Sequence, residues 1–257
     1  MTILHYIYAF LSGLLSGGAL GLTGGGGSIL AVPLLVYLVG ENIHLAIITS
    51  LIAVGATSLI SSFSYMRQSL VKFKIGFLMA SPGIISTYLG SLINKELKGP
   101  ILLLSFSLLM IYIGILMIKR KKPKAQTSNS EGKLNYTKIL ILGFITGLAS
   151  GFFGVGGGFL LVPALYIGAK LKMKEAIATS LFIIFLFGVF GLASYIIQQR
   201  EINYIVSAIF ATGGAVGGIV GAYFAKRLNQ DKLRFIFAIF TLLMGVGIFI
   251  QNIIQLL

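Results

Sequence analysis

Long runs of apolar residues, separated by short polar segments, account for most of the chain. Within the runs the apolar residues are continuous rather than alternating with polar ones, which favours membrane-spanning helices over the strands of a membrane β-barrel. A helix needs about 20 residues to cross the hydrocarbon, and most of the runs approach that length. The pattern predicts an all-α, polytopic membrane protein with ten apolar elements, at about 3–22, 28–39, 43–66, 75–94, 100–118, 139–153, 158–169, 175–198, 203–225 and 233–256.

Composition supports this class and excludes others. The 257 residues are 57% hydrophobic and only 10% charged, with a mean hydropathy of +0.99, whereas about 25% of a soluble domain is charged. The sequence contains no cysteine, which excludes disulfides and thiolate metal sites. Its two histidines, His5 and His44, lie near element ends and form no cluster with metal-ligand spacing. We therefore expect no metal and no cofactor.

The chain contains an internal repeat. The segment GLTGGGGSILAVP at 21–33 matches GFFGVGGGFLLVP at 151–163 in seven of thirteen positions, at an offset of 130 residues. At the same offset AIITSL, 46–51, meets AIATSL, 176–181. We interpret 1–118 as a first membrane repeat and 139–257 as a second. The polar and basic segment 119–138 between them is predicted to be a solvated linker.

Charge distribution predicts the orientation. With the N-terminus outside, 17 of the 20 basic residues fall in inside loops or in the linker, as the positive-inside rule expects. This rule accounts for the net charge of +14 without a nucleic-acid partner. Five elements in each copy would place the copies in opposite orientations, and such inverted repeats are typical of secondary transporters. We expect both termini outside, the linker in the cytoplasm and the protein in the plasma (inner) membrane.

Glycine clusters precede the short second element of each copy. These elements have about 12 residues, too few to cross the hydrocarbon comfortably, so the glycines separate a helix from a half-helix that either crosses or is re-entrant. The N-terminus of a half-helix presents free N–H groups and a positive dipole end, which suits an anion. Alternatively, the glycines allow close helix packing.

Paired hydroxyl residues recur in the third element of each copy, as Thr49-Ser50 and Thr179-Ser180. They could donate hydrogen bonds to an anion, or bond back to carbonyls of their own helix. Two further hydroxyl residues flank the first glycine cluster, where the second copy has Phe153 and Gly158. The candidate binding residues are Thr23, Gly24, Gly25, Gly26, Gly27, Ser28, Thr49, Ser50, Gly154, Gly156, Gly157, Gly158, Thr179 and Ser180. Tyr65 and Tyr195, near element ends, are predicted to lie at the membrane interface.

At these motifs the sequence resembles the sulfite exporter family TauE/SafE, also called TSUP. The resemblance rests on GLTGGGGSILAVPLL and GFFGVGGGFLLVPAL, each followed by an A-I-x-T-S-L segment, and it spans both copies. It implies a plasma-membrane transporter for sulfur-containing anions such as sulfite, thiosulfate or sulfoacetate. It also implies that the binding region lies at 24–33 and 154–163, together with Thr49, Ser50, Thr179 and Ser180.

The function predicted is a secondary transporter, an exporter that works by alternating access in the lipid bilayer on a small anionic substrate. A passive anion channel and a carrier for another small organic anion are the alternatives. An enzyme is not expected, because the apolar elements have no central His, Asp, Glu or Cys from which a catalytic group could be built. Protons as the coupling ion and a homo-oligomeric assembly are both left open.

Overall fold

A computed structural model describes residues 3–97, 99–119, 135–153 and 157–256. Within these ranges the chain is helical and has no strand, so the all-α prediction is confirmed. Eight of the described helices are long and apolar enough to cross a membrane, and many of their large apolar side chains face outward. The helices are α1 Ile3–Thr23, α2 Gly26–Leu34, α3 Ile43–Met66, α4 Phe73–Glu96, α5 Gly99–Lys119, α6 Tyr136–Phe153, α7 Gly158–Pro163, α8 Met173–Ile197, α9 Tyr204–Arg227 and α10 Gln230–Leu256.

The two short helices end in the same way. Each contains a proline, Pro33 in α2 and Pro163 in α7, and each continues as one wider π-helical turn, at Leu35–Val39 and Ala164–Gly168. Proline lacks an N–H and interrupts the regular hydrogen-bond ladder, and in both helices the π turn begins within two residues of the proline. With their π turns the short helices have 14 and 11 residues, or roughly 16 to 21 Å at 1.5 Å per residue. Neither could cross the hydrocarbon alone.

The helices of the first copy pack on those of the second through backbone-to-backbone contacts at glycines. Glycines of α1 lie against the backbone of α9, and glycines of α6 lie against the backbone of α4, with no room for a Cβ atom. Small residues allow helices in membranes to approach this closely. The α1–α9 contacts are Gly13 with Phe210, Gly17 with Gly214 and Gly21 with Gly218. The α6–α4 contacts are Gly143 with Met79, Gly147 with Gly83 and Gly151 with Thr87. Each α6–α4 contact has a counterpart in an α1–α9 contact: the α6 residue lies 130 positions after its α1 counterpart, and the α9 residue lies 131 positions after its α4 counterpart.

The order of these contacts gives the helix directions. Residue numbers rise together in the α1–α9 and α6–α4 pairs, so the helices of each pair run the same way. In contrast, Gly55 of α3 meets Gly188 of α8 while Leu51 meets Gly191, so numbers rise in one helix as they fall in the other. The helices α3 and α8, which occupy matching places in the two copies, therefore run in opposite directions.

Polar contacts group the loops into two faces. On one face, which we call the basic face, Lys72 pairs with Glu175 at 3.1 Å and the Lys174 ammonium donates to the Lys226 carbonyl at 2.9 Å. On the other, which we call the Glu41 face, the Asn203 amide donates to Glu41 at 3.0 Å. The basic face thus joins the loops on which the sequence concentrates its lysines.

The interfacial position expected of Tyr65 and Tyr195 is wrong. The two side chains are only 1% and 0% exposed, and their hydroxyls donate to the carbonyls of Gly21 at 2.8 Å and Gly151 at 3.1 Å. The last four carbonyls of a helix have no partner within it. Both glycines lie in the last turn of a helix that ends at a glycine break, so each tyrosine satisfies a carbonyl that the break leaves free.

Candidate functional site

The break between α1 and α2 is a tight turn held by a threonine. Gly24 adopts a left-handed conformation, with φ of +73°, and its N–H donates to the Leu20 carbonyl at 2.7 Å. The Thr23 hydroxyl donates to the Ala19 carbonyl at 2.7 Å and accepts from the Gly26 N–H at 2.8 Å. Thr23 therefore caps the first turn of α2 and ties it to α1, which fixes the direction in which α2 leaves the turn.

The break in the second copy is described from Gly157 onward. Gly157 adopts a left-handed conformation, with φ of +65°, and its carbonyl accepts from the N–H groups of Leu160 and Leu161. Gly154 and Gly156 lie outside the described residues. The second copy has Phe153 in the place of the capping Thr23, so the hydroxyl that caps α2 has no counterpart at this position.

The N-terminal ends of α2 and α7 meet. Gly25 and Gly158 are in backbone contact, so closely that a Cβ on Gly25 would overlap the Gly158 carbonyl. The Ser28 hydroxyl donates to the Gly25 carbonyl at 2.7 Å. The Ser180 hydroxyl lies 2.7 Å from the Gly24 carbonyl and 2.8 Å from Ile177 of its own helix. We call this meeting point of Gly24, Gly25, Ser28, Gly158 and Ser180 the glycine junction.

The junction lies within the layer of spanning helices. Along α8, Gly24 contacts Ile177 and Gly158 contacts Ile184, which places the junction between about 6 and 16 Å from the start of a helix about 37 Å long. Backbone that leaves helical geometry at this depth must be enclosed by protein or line a wet cavity. Here it is enclosed, since the candidate side chains Thr23, Ser28 and Ser180 are at most 1% exposed.

The remaining candidate binding residues, Gly27, Thr179, Thr49 and Ser50, are not part of the glycine junction. Gly27 packs against α1, where the Ser16 hydroxyl donates to its carbonyl at 2.7 Å, and so lies away from the junction. The Thr179 hydroxyl accepts from the Lys72 N–H at 3.0 Å. Thr49 is fully buried, and its hydroxyl lies beside the Glu41 carboxyl. Ser50 is fully buried beside it.

The arrangement places uncharged hydrogen-bonding groups in a buried environment, with both serine hydroxyls bonded to backbone carbonyls in this conformation. It combines helix N-termini with serine hydroxyls, and no group of metal-binding side chains is found among the described residues. Such donors can hold an anion without a buried counter-charge. The contact between Gly25 and Gly158 leaves no space for one in this conformation, so the junction is closed. Binding would require the two short helices to separate.

Sequence reasoning missed the part played by Tyr65 and Tyr195. Their spacing from the glycine motifs is the same in both copies, 44 residues from the carbonyl that each tyrosine contacts. This repeated spacing was the available signal. Their burial could not be read from it, because tyrosines near helix ends usually lie at the membrane surface.

Apolar helices of membrane length, arranged around two broken half-helices, define a multi-pass membrane protein of the transporter class. The family described as Sulfite exporter TauE/SafE matches residues 9–248. The chain belongs to this family.

Its relatives bear the same general description. It is 39% identical to a probable membrane transporter protein of Xylella fastidiosa (strain Temecula1), over 90% of this chain and 89% of the relative. It is 29% identical to the probable membrane transporter protein YunE of Bacillus subtilis, over 97% of this chain and 99% of the relative. A probable membrane transporter protein of Methanocaldococcus jannaschii is 28% identical, over 93% of this chain and 92% of the relative. The protein is therefore a membrane transporter.

Proposed function

We propose that the protein is a secondary transporter that exports small sulfur-containing anions, such as sulfite, thiosulfate or sulfonates like sulfoacetate, across the plasma membrane. The observation that carries this proposal is the meeting of the N-termini of α2 and α7, one from each copy, at Gly25 and Gly158. Two positive helix ends directed at one point favour an anionic guest. The family description supports sulfite or a related anion as that guest.

The proposal includes two inverted repeats. On α9, Gly214 contacts Thr57 of α3 and Gly218 contacts Ser61. Residue numbers therefore rise in the same direction along both helices, so α3 runs parallel to α9 and, since α9 runs parallel to α1, also to α1. The opposite directions of α3 and α8 support a pseudo-two-fold axis in the membrane plane. We assign the basic face and the linker 119–138 to the cytoplasm and both termini to the outside.

Transport in this scheme alternates between the two faces. The closed junction corresponds to an occluded state, and rocking of one copy against the other would part α2 from α7 and admit the anion to N–H groups and to the hydroxyls of Ser28 and Ser180. The membrane potential, negative inside, favours the exit of an anion by about 2.3 kcal/mol per charge per 100 mV. Export therefore needs no acidic residue at the junction.

The test is uptake into liposomes that contain the purified protein. Sulfite, thiosulfate, sulfoacetate, sulfate and a potassium control are compared, with protein-free liposomes as the blank. We expect saturable uptake of one or more sulfur anions and faster exchange when the same anion is loaded inside. Flux without saturation or exchange would indicate a channel instead. Movement of the cation alone would contradict the proposal.

A further inference from the structure

One acidic side chain is buried at the end of the short element of the first copy. Gly40, with φ of +79°, ends the π turn after α2, and Glu41 follows it before α3 begins at Ile43. The Glu41 N–H donates to the Leu35 carbonyl at 2.9 Å. Its side chain is 6% exposed and is the only buried charged side chain in the part of the chain that the structure describes.

The carboxyl of Glu41 lacks a positive partner. Its Oε1 accepts one hydrogen bond, from the neutral Asn203 amide at 3.0 Å, and its buried Oε2 has no partner. No cation of the described residues lies within ion-pair distance of it. The Thr49 hydroxyl lies next to the carboxyl as a second neutral donor. Glu41 therefore adjoins the Thr49-Ser50 motif as well as the second copy.

A buried carboxylate whose only donors are neutral is costly to keep ionised. Burial raises the pKa of Glu41, which lies outside the spanning helices, and hydrogen bonding from Thr49 and Asn203 opposes that rise. Titratable or charged groups on the neighbouring elements are Tyr37 on the π turn, His44 on α3, Arg200 and Glu201 before α9, Tyr204 on α9, and His5 and Tyr6 on α1.

We propose that Glu41 is a proton-binding site that controls the opening of the Glu41 face of the transporter. While its contact with Asn203 is closed, the carboxyl holds a proton. When the two copies move apart at this face, water reaches the carboxyl and the proton leaves to that water. A shallow surface depression at this point, lined by Leu45, Glu201, Ile202, Asn203, Tyr204 and Ile205, lies on that route.

The sign of the pH effect follows from this scheme. A carboxyl with a higher pKa in the closed state stabilises that state below the pKa of the open state, and the stabilisation is lost as pH rises through the closed-state pKa. Raising the pH therefore favours opening. Each unit of difference between the two pKa values is worth a tenfold change in the closed-to-open ratio.

The experiment measures the rate of thiosulfate transport in liposomes against pH, with the same pH on both sides. Thiosulfate is chosen because, unlike sulfite, it keeps the same charge at mildly acidic, neutral and mildly alkaline pH. We expect the wild-type rate to rise with pH and the rate of Glu41→Gln, which mimics the protonated acid, to stay flat near the low-pH value. Glu96→Gln, the same change at an exposed residue at the end of α4, should keep the wild-type profile. A wild-type profile in Glu41→Gln would overturn the proposal.

A second measurement separates this inference from the proposed function, on which it rests. Infrared spectra of the substrate-free protein in lipid should show a protonated carboxyl band at a pH where ordinary glutamates are ionised. The band should be missing in Glu41→Gln, and the six acidic residues of the sequence make its assignment tractable. The unmodified protein serves for the main observation even if the variant does not fold. Absence of the band would overturn the inference, whichever anion is transported.

Discussion

Asn203 and Lys72 occupy matching positions in the two copies, at the N-terminal boundaries of α9 and α4, yet they close opposite faces with different chemistry. Lys72 makes an ion pair with Glu175 in which the side chains are 41% and 18% exposed. Asn203 instead donates a neutral hydrogen bond to the buried Glu41. An exposed ion pair contributes about 0 to 1 kcal/mol and is screened by salt. The Lys72–Glu175 pair therefore contributes little to holding the basic face together, whereas we propose that the contact at the Glu41 face responds to pH.

The difference teaches that the repeat preserves backbone packing more faithfully than chemistry. Glycine-to-backbone contacts between α1 and α9 recur between α6 and α4, and Tyr65 and Tyr195 bond matching carbonyls. The charged and hydroxyl groups around this scaffold differ, as at Thr23 and Phe153. The two copies meet in a closed junction, while the side chains at the two faces differ.

The largest expected effect comes from the shared backbone contact. Gly25→Ala places a Cβ against the Gly158 carbonyl, and such overpacking costs about 1 to 3 kcal/mol. We expect transport to be abolished because the closed junction can no longer form, while membrane insertion persists. Uptake into liposomes and size-exclusion profiles measure the two properties. Gly247→Ala is the matched control, since nothing lies within 4 Å of a Cβ there. Full transport by Gly25→Ala would show that the contact is dispensable.

A smaller effect tests whether the copies are alike in energy as well as geometry. Tyr65→Phe and Tyr195→Phe each remove a hydroxyl and leave a buried carbonyl, of Gly21 or Gly151, without its partner. Such a loss costs about 1 to 3 kcal/mol. Thermal unfolding in detergent should show similar losses for the two variants. A loss in only one would mean that the matching bonds do not contribute equally.

The smallest expected effect comes from giving the Glu41 face an ion pair like that of the basic face. Asn203→Lys places an ammonium group beside Glu41, as Lys72 stands beside Glu175. An opposite charge favours the ionised carboxyl and lowers its pKa, so the pH dependence of transport should move to more acidic pH. Asn203→Ser, which keeps a capping hydroxyl for α9 without adding charge, is the control and should not move the dependence in that direction. If Asn203→Lys leaves the pH dependence of transport unchanged, Glu41 is not the group that causes it.

Much of the fold could be predicted because hydrophobic run length and repeated motifs report directly on membrane helices. The predicted elements at 43–66 and 139–153 end within a residue of α3 and α6, although α6 begins earlier, at Tyr136. The second element was predicted to start at 28, whereas α2 starts at Gly26, since Thr23 supplies a cap that makes two of the glycines helical.

The site was harder to predict, because its geometry depends on contacts far apart in the sequence. Proximity of Gly25 to Gly158 follows from packing between the copies, and the enclosure of Tyr65 follows from its contact with Gly21, 44 residues away. Glu41 stands at the edge of an apolar element in the sequence, where acidic residues are usually solvated. Its burial depends on tertiary packing, which brings Asn203 within 3.0 Å of its carboxyl.

Access of water and substrate to the glycine junction tests the central claim most directly. The sequence has no cysteine, so Ser28→Cys introduces a single thiol at the junction, and Ser16→Cys introduces one that is equally buried between α1 and α2. During transport, a water-soluble anionic thiol reagent should label Cys at position 28 but not at 16, and sulfoacetate should slow the labelling by competition. A transporting Ser28→Cys protein that stays unlabelled, or whose labelling ignores sulfoacetate, would contradict an anion path through the junction.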